Sequence, residues 1–334
     1  MTKVPAETVA VPHALIQAAA VAGHAPSVHN TQPWRWRVLP DRLELLAVRE
    51  RQLAAIDPDA HLLAVSCGTA LHHAVVALRA EGWTVRVDRV PDPADPDLLA
   101  VVVPTGHATP EPAAMRLVQS MSVRHTDRRP VSDEPVPAAT LDEIRRAAAE
   151  HADLQVLDTD QILHLATAAG RATDAEAEDP RVREELLYWT TRAPAGTGLT
   201  PEVLPAEPAR TTVPGRDFGP GALPIGPGHD RAATYAVLFG DGDEPHDWMR
   251  AGEALSAAWL TATALGVSMV PLSWVVEVTG TREILRRALA GLAQPYLVLR
   301  IGIADPEHAG PPRTPRLPAD QVIDTSAVRT PPPA

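Results

Sequence analysis

Polar and aromatic side chains are concentrated in one turn, residues 25–38, which reads APSVHNTQPWRWRV. Gly23 and Pro26 should end the preceding helix, because glycine accepts the left-handed cap and proline cannot continue the hydrogen-bond ladder. Ser27 and Asn30 then lie in a loop, where short polar side chains and backbone amides suit the edge of a flat heteroaromatic ring. The turn therefore predicts the floor of a cofactor site, although the same residue types are also typical of a well-capped surface turn.

A β-strand should leave this turn. Pro33 has no N–H and fits the beginning of a strand, so Trp34, Trp36 and Val38 should share one face. Helices are predicted over residues 11–22, 61–81, 160–176, 180–189 and 247–265, with a capping box at Thr140 and Glu143 starting another. Strands are predicted over residues 43–47, 84–90, 98–103, 154–157, 234–239 and 296–301.

Composition excludes several classes of function. A formal net charge of −12 over 334 residues argues against nucleic acid and anionic membrane surfaces. Lys3 is the sole lysine, which removes Schiff-base and Walker-type chemistry from the body of the chain, and the lone Cys67, expected in the core, removes intramolecular disulfides. Neither a signal peptide nor a membrane-spanning segment is expected, so the sequence predicts a soluble cytoplasmic protein with no metal site.

The chain contains a faint internal repeat. The segments GTALHHA from Gly68 and GEALSAA from Gly252 match at four positions, and with the same offset Gly82 aligns with Gly266. Both helices should end at those second glycines, and each is followed by a strand-like stretch. Chance matches between alanine-rich helices are the alternative, but the aligned glycines favour two copies of one unit about a pseudo-twofold axis.

Residues 26–34, PSVHNTQPW, resemble the P-S-x-x-N-x-Q-P-W signature of the FMN-dependent nitroreductase family. Residues 124–128, RHTDR, look like its arginine-containing phosphate motif, and residues 264–272, ALGVSMVPL, look like the segment that runs along the isoalloxazine ring. Residues 312–318, PRTPRLP, are similar to the basic C-terminal segment that closes over the phosphate. These motifs span nearly the whole chain.

The motifs are divided between two halves, whereas an ordinary family subunit carries them all. This arrangement resembles the Acg branch, a fused version with one FMN. The resemblance implies an α+β nitroreductase-like fold, with a central mixed β-sheet flanked by helices and two nitroreductase-like halves, residues 1–110 and 111–334. The long segment 190–230, rich in proline and glycine, is the expected lid.

The resemblance also implies the site residues, with hydride chemistry carried by N5 of FMN and no catalytic side chain. Arg124, Arg128 and Arg316 are the expected phosphate ligands, because a guanidinium donates two parallel hydrogen bonds; a solvated basic run is the ordinary alternative for residues 124–129. The complete predicted cofactor-binding set is Pro26, Ser27, Asn30, Gln32, Arg124, His125, Thr126, Arg128, Pro271, Leu272, Ser273, Arg313 and Arg316.

The expected activity is hydride transfer from NAD(P)H to FMN and on to a nitroaromatic or quinone-like acceptor. The alternative is an FMN-sequestering or storage protein with a covered site, because Trp274 could crowd the substrate face. The expected partner is a small-molecule electron acceptor, and the chain is expected to be a monomeric pseudo-dimer or a homodimer.

Overall fold

The computed structural model describes residues 6–207, 209, 211–226, 228–291, 293–305 and 310–328, with side chains from residue 11 onward. Lys3, positions 208, 210 and 227 of the expected lid, and parts of the proline-rich tail lie outside the described residues.

The described strands form two sheets. The first has the order β3-β4-β2-β1-β9 and is antiparallel except for the parallel pair β1–β9. The second is antiparallel with the order β5-β6-β8-β7. The strands are β1 (Trp34–Val38), β2 (Leu43–Ala47), β3 (Trp83–Arg89), β4 (Leu98–His107), β5 (Asp153–Val156), β6 (Thr234–Gly240), β7 (Ser268–Leu272), β8 (Gln294–Gly302) and β9 (Ile323–Asp324).

Helices flank both sheets, as expected for an α+β fold. The described α-helices are α1 (Ala6–Ala22), α2 (His61–Ala80), α3 (Pro112–Val123), α4 (Ala138–Ala148), α5 (Thr159–Glu178), α6 (Pro180–Leu187), α7 (Pro245–Ala264), α8 (Trp274–Glu277), α9 (Thr279–Ala288) and α10 (Ala319–Val322). The first sheet packs on α1 and α2, and the second packs on α4, α5 and α7. The strands therefore divide between two sheets, where a single central sheet was expected, because each sheet buries its apolar face against its own helices.

Helices α2 and α7 cross at the two glycines of the internal repeat. A Cβ atom added to Gly68 would lie 2.9 Å from the Cα of Gly252, and one added to Gly252 would lie 2.8 Å from the Cα of Gly68. Such distances are shorter than real Cβ contacts, so only glycine allows the two backbones to approach this closely. Gly82 and Gly266 follow the two helices with φ of 86° and 73°, the left-handed cap geometry expected at both positions.

Most predicted elements lie within a few residues of the observed ones. Trp34, Trp36 and Val38 are all fully buried on one face of β1, as predicted, and Cys67 is fully buried in α2. The capping box at Thr140 and Glu143 was wrong: α4 begins at Ala138 after Pro137, whose fixed φ already suits a helix start.

Helix α2 also corrects the expectation that no segment is long and apolar enough to cross a bilayer. Residues His61–Ala80 meet that description by length and composition. Its apolar window is wholly buried inside the protein, as in the core helix of a globular domain, so it is weak evidence for a membrane span.

Candidate functional site

A cavity of about 260 Å³ lies where the signature turn, α2, α7, β7 and the segment 199–219 meet. Apolar walls come from Leu62 and Val65 of α2 and from Leu255 and Trp259 of α7. Apolar walls with a few polar groups at the edges are typical of a cofactor site.

The signature turn has unusual backbone geometry. His29, Asn30 and Gln32 all have positive φ, of 43°, 57° and 48°, a region that costs energy for residues other than glycine. Helix α2 supports the turn, since Ser66 Oγ accepts from Val28 N at 3.1 Å. A second support comes from Thr69 Oγ1, which donates to Pro26 O at 2.6 Å, and Ser27 Oγ accepts from Gln32 N at 2.9 Å.

Two amide side chains of the turn fasten other segments to it. Asn30 Nδ2 donates to Gly198 O at 3.1 Å and to Pro315 O at 3.0 Å. Gln32 Nε2 donates to Gly196 O at 2.7 Å, and Gln32 Oε1 accepts from Leu317 N at 3.0 Å. The side-chain amides that were predicted to bind a cofactor therefore bind backbone groups of the segment 190–230, here called the covering segment, and of the C-terminal tail.

Two arginines from distant parts of the chain meet at one end of the cavity. Arg124 Nη2 and Arg316 Nη2 both donate to His24 O, at 3.4 and 3.2 Å, and Arg316 Nη1 donates to Asn30 Oδ1 at 3.1 Å. The Arg124 guanidinium lies 4.4 Å from the centroid of the Trp259 ring. Neither arginine forms an ion pair with a carboxylate in the described part of the chain, and the buried Nε atom of each has no partner there.

Burial lowers the pKa of both guanidinium groups. The pKa of Arg124 falls to about 9, first because the charge is desolvated and then because Arg316 is near. Desolvation also lowers the pKa of Arg316 to about 10. Two desolvated cations without an acidic partner form a site that an anion would complete.

Arg128 lies apart from this pair. Its Nη1 donates to Val203 O at 3.2 Å, and its guanidinium lies 5.1 Å from the centroid of the Phe218 ring. Desolvation lowers its pKa to about 10, with Arg300 the next cause and Asp127 opposing. Its neighbours therefore differ from those of Arg124 and Arg316, although Arg128 belongs to the same sequence motif as Arg124.

A buried charged group that the sequence did not predict joins the segment 199–219 to α5 and α8. Arg216 Nη2 lies 2.7 Å from Glu176 Oε1 of α5 and 2.9 Å from Glu277 Oε2 of α8. Arg216 Nη1 also lies 3.2 Å from His29 Nε2. Desolvation raises the pKa of Glu176 to about 7, with Arg216 opposing the shift.

A second buried ion pair was also missed. Arg300 Nη1 lies 2.8 Å from Asp230 Oδ2, while Arg300 Nη2 donates to the carbonyl oxygens of Asp127 and Arg129. Asp230 Oδ1 accepts from Val131 N at 2.7 Å, so this pair joins three segments of the second half. Arg300 and Asp230 are 70 residues apart, and no pattern in the sequence predicts that they form a contact.

Ten of the predicted cofactor ligands line the cavity, and three do not. Those that line it are Pro26, Ser27, Asn30, Arg124, Thr126, Arg128, Pro271, Leu272, Ser273 and Arg316, together with Trp274. Gln32 is buried among backbone groups, His125 Nδ1 donates to Val123 O at 3.1 Å, and the side chain of Arg313 is exposed. The ligand roles themselves stay predictions.

The cavity combines an anion-binding end with apolar walls. Arg124 and Arg316 form the anion end, and residues 271–273, at the end of β7, line the apolar part of the cavity with Trp259 and Trp274. A molecule that carries a phosphate and a planar ring matches this arrangement, with its phosphate at the arginines and its ring between the apolar walls. Among the described residues there is no group of three metal-binding side chains.

No family model matches the chain. A Mycobacterium tuberculosis protein provisionally named an NAD(P)H nitroreductase is 36% identical over 91% of this chain and 89% of its own length. Another protein of that organism, provisionally named the NAD(P)H nitroreductase acg, is 30% identical over 96% of this chain and 98% of its own. A third, uncharacterised, is 33% identical over 92% of each chain.

Two solved nitroreductase structures are similar to part of the chain. The FMN- and NADPH-dependent nitroreductase NfnB from a Sphingopyxis species matches with a TM-score of 0.40 and 18% identity, covering 62% of this chain and 97% of that one. A Bacteroides fragilis nitroreductase with bound FMN matches with a TM-score of 0.36 and 16% identity, covering 58% and 90%.

Proposed function

The chain belongs to the Acg-like branch of the nitroreductases, and on this premise we propose that it is an FMN-binding oxidoreductase that takes hydride from NAD(P)H and passes it to a nitroaromatic or quinone-like acceptor. The observation that carries the proposal is the pair Arg124 and Arg316, two buried cations that form no ion pair with a carboxylate of the described chain. The FMN phosphate, with a charge of roughly −2, supplies the missing anion.

The residues present fit FMN at both ends. Arg124 and Arg316 hold the phosphate, and the hydroxyl of Thr126 adds a donor beside them. Trp259 and Leu255 exclude water from one side of the cavity, and residues 271–273, at the end of β7, present backbone groups to the ring edge. When bound, FMN accepts and donates hydride at N5, while the protein orients the ring and tunes its electronics.

Arg128 has a different role in this proposal. Because its contacts are with Val203 and Phe218 and the charges that shift its pKa are those of Arg300 and Asp127, we assign it to the ring end of the cavity. A guanidinium there stabilises negative charge on the ring system or on the second substrate. The three predicted phosphate arginines thus divide into a phosphate pair and one further cation.

The chain is proposed to hold one such site between two nitroreductase-like halves. The crossing of α2 and α7 at Gly68 and Gly252 supports duplication about a pseudo-twofold axis. The tail after residue 310 completes the site, since Arg316 lines the cavity and β9 joins the first sheet. A division at residue 110 therefore leaves part of the N-terminal half in the tail. We also propose a cytoplasmic location, which the complete burial of the apolar window of α2 supports.

FMN sequestration is the second candidate, and the segment 190–230 favours it. Fourteen of the described residues from 199 to 219 line the cavity, and Arg216 connects this segment to α5 and α8. If the segment acts as a lid that rarely opens, it would hold FMN without turnover.

Anaerobic stopped-flow spectroscopy of the purified protein tests both candidates, after its absorption spectrum and phosphate content give the FMN bound per chain. One FMN per chain and rapid bleaching near 450 nm on mixing with NADPH or NADH is the result expected for the enzyme. The same stoichiometry with no bleaching, while dithionite still reduces the flavin, is the result expected for sequestration. A protein that neither contains FMN nor takes it up contradicts both.

A further inference from the structure

His29 lies within the signature turn, in the cavity wall, and is 6% exposed. Its Nε2 lies 3.2 Å from Nη1 of Arg216. A guanidinium has five N–H donors and no acceptor, so Nε2 must offer its lone pair. A neutral imidazole carries one proton, which must then reside on Nδ1. Arg216 therefore fixes the tautomer of His29.

The proton-bearing nitrogen is left for a ligand. Among the described residues Nδ1 of His29 has no hydrogen-bond partner. The imidazole is held on its other side by Phe218, with ring centroids 5.7 Å apart and an edge-on geometry. Because His29 lines the cavity, an N–H donor on its imidazole that no described protein group satisfies is available to a ligand that offers an acceptor.

The imidazole stays neutral over the working pH range. Desolvation lowers the pKa of His29 well below its ordinary value, and Arg216 and then Arg128 lower it further. Because the ring remains neutral, the Nδ1–H group is a constant donor rather than a titrating acid.

We propose that His29 donates its Nδ1–H to an oxygen of the flat electron acceptor that binds beneath segment 199–219, and that Arg216 is the positioning residue that selects this tautomer. The inference rests on the proposed function. Phe218 supplies an aromatic wall for the acceptor, and Arg128, 5.1 Å from the same ring, supplies positive charge. Quinones and nitroaromatics have the planar ring and the oxygen that this subsite recognises.

The donor has a defined part in the reaction. Transfer of a hydride from the reduced cofactor to a quinone adds two electrons and one hydrogen and leaves negative charge on an acceptor oxygen. His29 Nδ1–H stabilises that charge without giving up its proton, and a proton from water completes the hydroquinone. Two of the neighbours that hold the imidazole, Arg216 and Phe218, belong to the covering segment, which is why the donor is assigned to the entering molecule rather than to the resident cofactor.

Two isosteric variants test the assignment. In H29N the amide occupies the position of Nδ1, and asparagine tolerates the positive φ of this residue. In H29Q the amide reaches the position of Nε2 and keeps the contact with Arg216, but nothing remains at Nδ1. The probe is equilibrium binding of 1,4-naphthoquinone, compared with naphthalene, to the oxidised FMN-loaded protein.

We expect the wild-type protein and H29N to prefer naphthoquinone over naphthalene, and H29Q to lose about tenfold of that preference, the size of one hydrogen bond. If His29 only holds Arg216 in place, H29Q keeps the preference and H29N loses it, which overturns the proposal. If H29Q does not fold, H29N decides alone, because it keeps a donor at the position of Nδ1 and removes the contact with Arg216.

The tautomer is tested independently by nitrogen-15 NMR of protein labelled in its imidazole rings, with H29N identifying the His29 resonances. A proton on Nδ1 in the wild-type protein, and exchange between tautomers in R216M, are expected; a proton on Nε2 overturns the proposal. FMN content is measured first: absence of FMN from the wild-type protein refutes the proposed function. If every variant binds FMN and the preference for naphthoquinone is unchanged, only the role of His29 is refuted. If the flavin spectrum shifts in H29Q alone, the Nδ1–H group donates to the cofactor instead of the acceptor.

Discussion

Two pairs of buried arginines in this protein have opposite surroundings. Arg216 and Arg300 each meet carboxylates at 2.7–2.9 Å. Arg124 and Arg316 meet carbonyl and amide oxygens but no carboxylate among the described residues. A buried charge is tolerated when a partner compensates its lost hydration. We therefore assign the paired arginines to the stability of the fold and the unpaired arginines to the binding of an anionic ligand.

The largest effect is expected where a paired cation loses its carboxylate. D230A leaves Arg300 buried without a counter-charge and Val131 N without an acceptor. Removal of one partner of a buried ion pair costs about 3–5 kcal/mol of unfolding free energy. Chemical denaturation measures it. The control is D142A, which breaks the exposed pair with Arg145 and should change the unfolding free energy by less than about 1 kcal/mol. Equal effects would remove the distinction between buried and exposed pairs.

The next effect concerns pH and the Arg216 group. Desolvation and then the nearby Glu277 raise the pKa of Glu176 from 4.5 to about 7, although Arg216 opposes the shift. The folded state therefore binds this proton more tightly than the unfolded state. The resulting stabilisation is complete below pH 4.5 and is lost as the pH rises to 7.

E176Q has no titrating carboxyl at this position and therefore lacks the pH-dependent stabilisation. The stability of the wild-type protein relative to E176Q should fall by on the order of 2–3 kcal/mol across this pH window, as measured by urea denaturation at several pH values. Asp57, whose pKa burial also raises to about 7, titrates in both proteins and cancels from the difference. Parallel pH curves for the two proteins would show that Glu176 titrates normally.

For an unpaired cation the comparison predicts an effect on the ligand rather than on the fold. R124M keeps an apolar stem against Trp259 and removes one charge-assisted contact to phosphate, worth roughly 1.5–3 kcal/mol, so FMN should bind about 10- to 100-fold more weakly. The free energy of unfolding of the FMN-free protein should be unchanged or higher in R124M. Fluorescence titration with FMN and denaturation measure the two quantities. R145M on α4 is the matched control; if it weakens FMN binding equally, Arg124 acts only through general charge.

The smallest effect is expected at Arg313, which the sequence motif placed with the phosphate ligands. Its side chain is exposed and lies outside the cavity lining. An exposed charge near an anion contributes about 0.2–1 kcal/mol, so R313M should weaken FMN binding by no more than about fivefold. The same titration at low and high salt measures it. A loss as large as that of R124M would mean that the tail closes further over the bound phosphate.

Local sequence was sufficient for much of the architecture. The buried face of β1 followed from the alternation of Trp34, Trp36 and Val38, and the two helix ends at Gly82 and Gly266 followed from the cap that only glycine adopts easily. The boundaries of α4 were missed because Pro137 competes with a capping box as a start signal. The turn that lines the cavity could be predicted because its polar side chains lie within a few consecutive residues of the sequence.

The sequence by itself determined the family, the signature turn and the arginine-rich segments, since each is a property of neighbouring residues. Tertiary structure alone decided that Arg124 meets Arg316 while Arg128 meets Phe218, that Arg216 joins α5, α8 and His29, and that the strands form two sheets. These contacts join residues that are far apart in the chain. No local periodicity or propensity encodes such contacts, because burial, charge compensation and the free nitrogen of His29 exist only after the segments have packed.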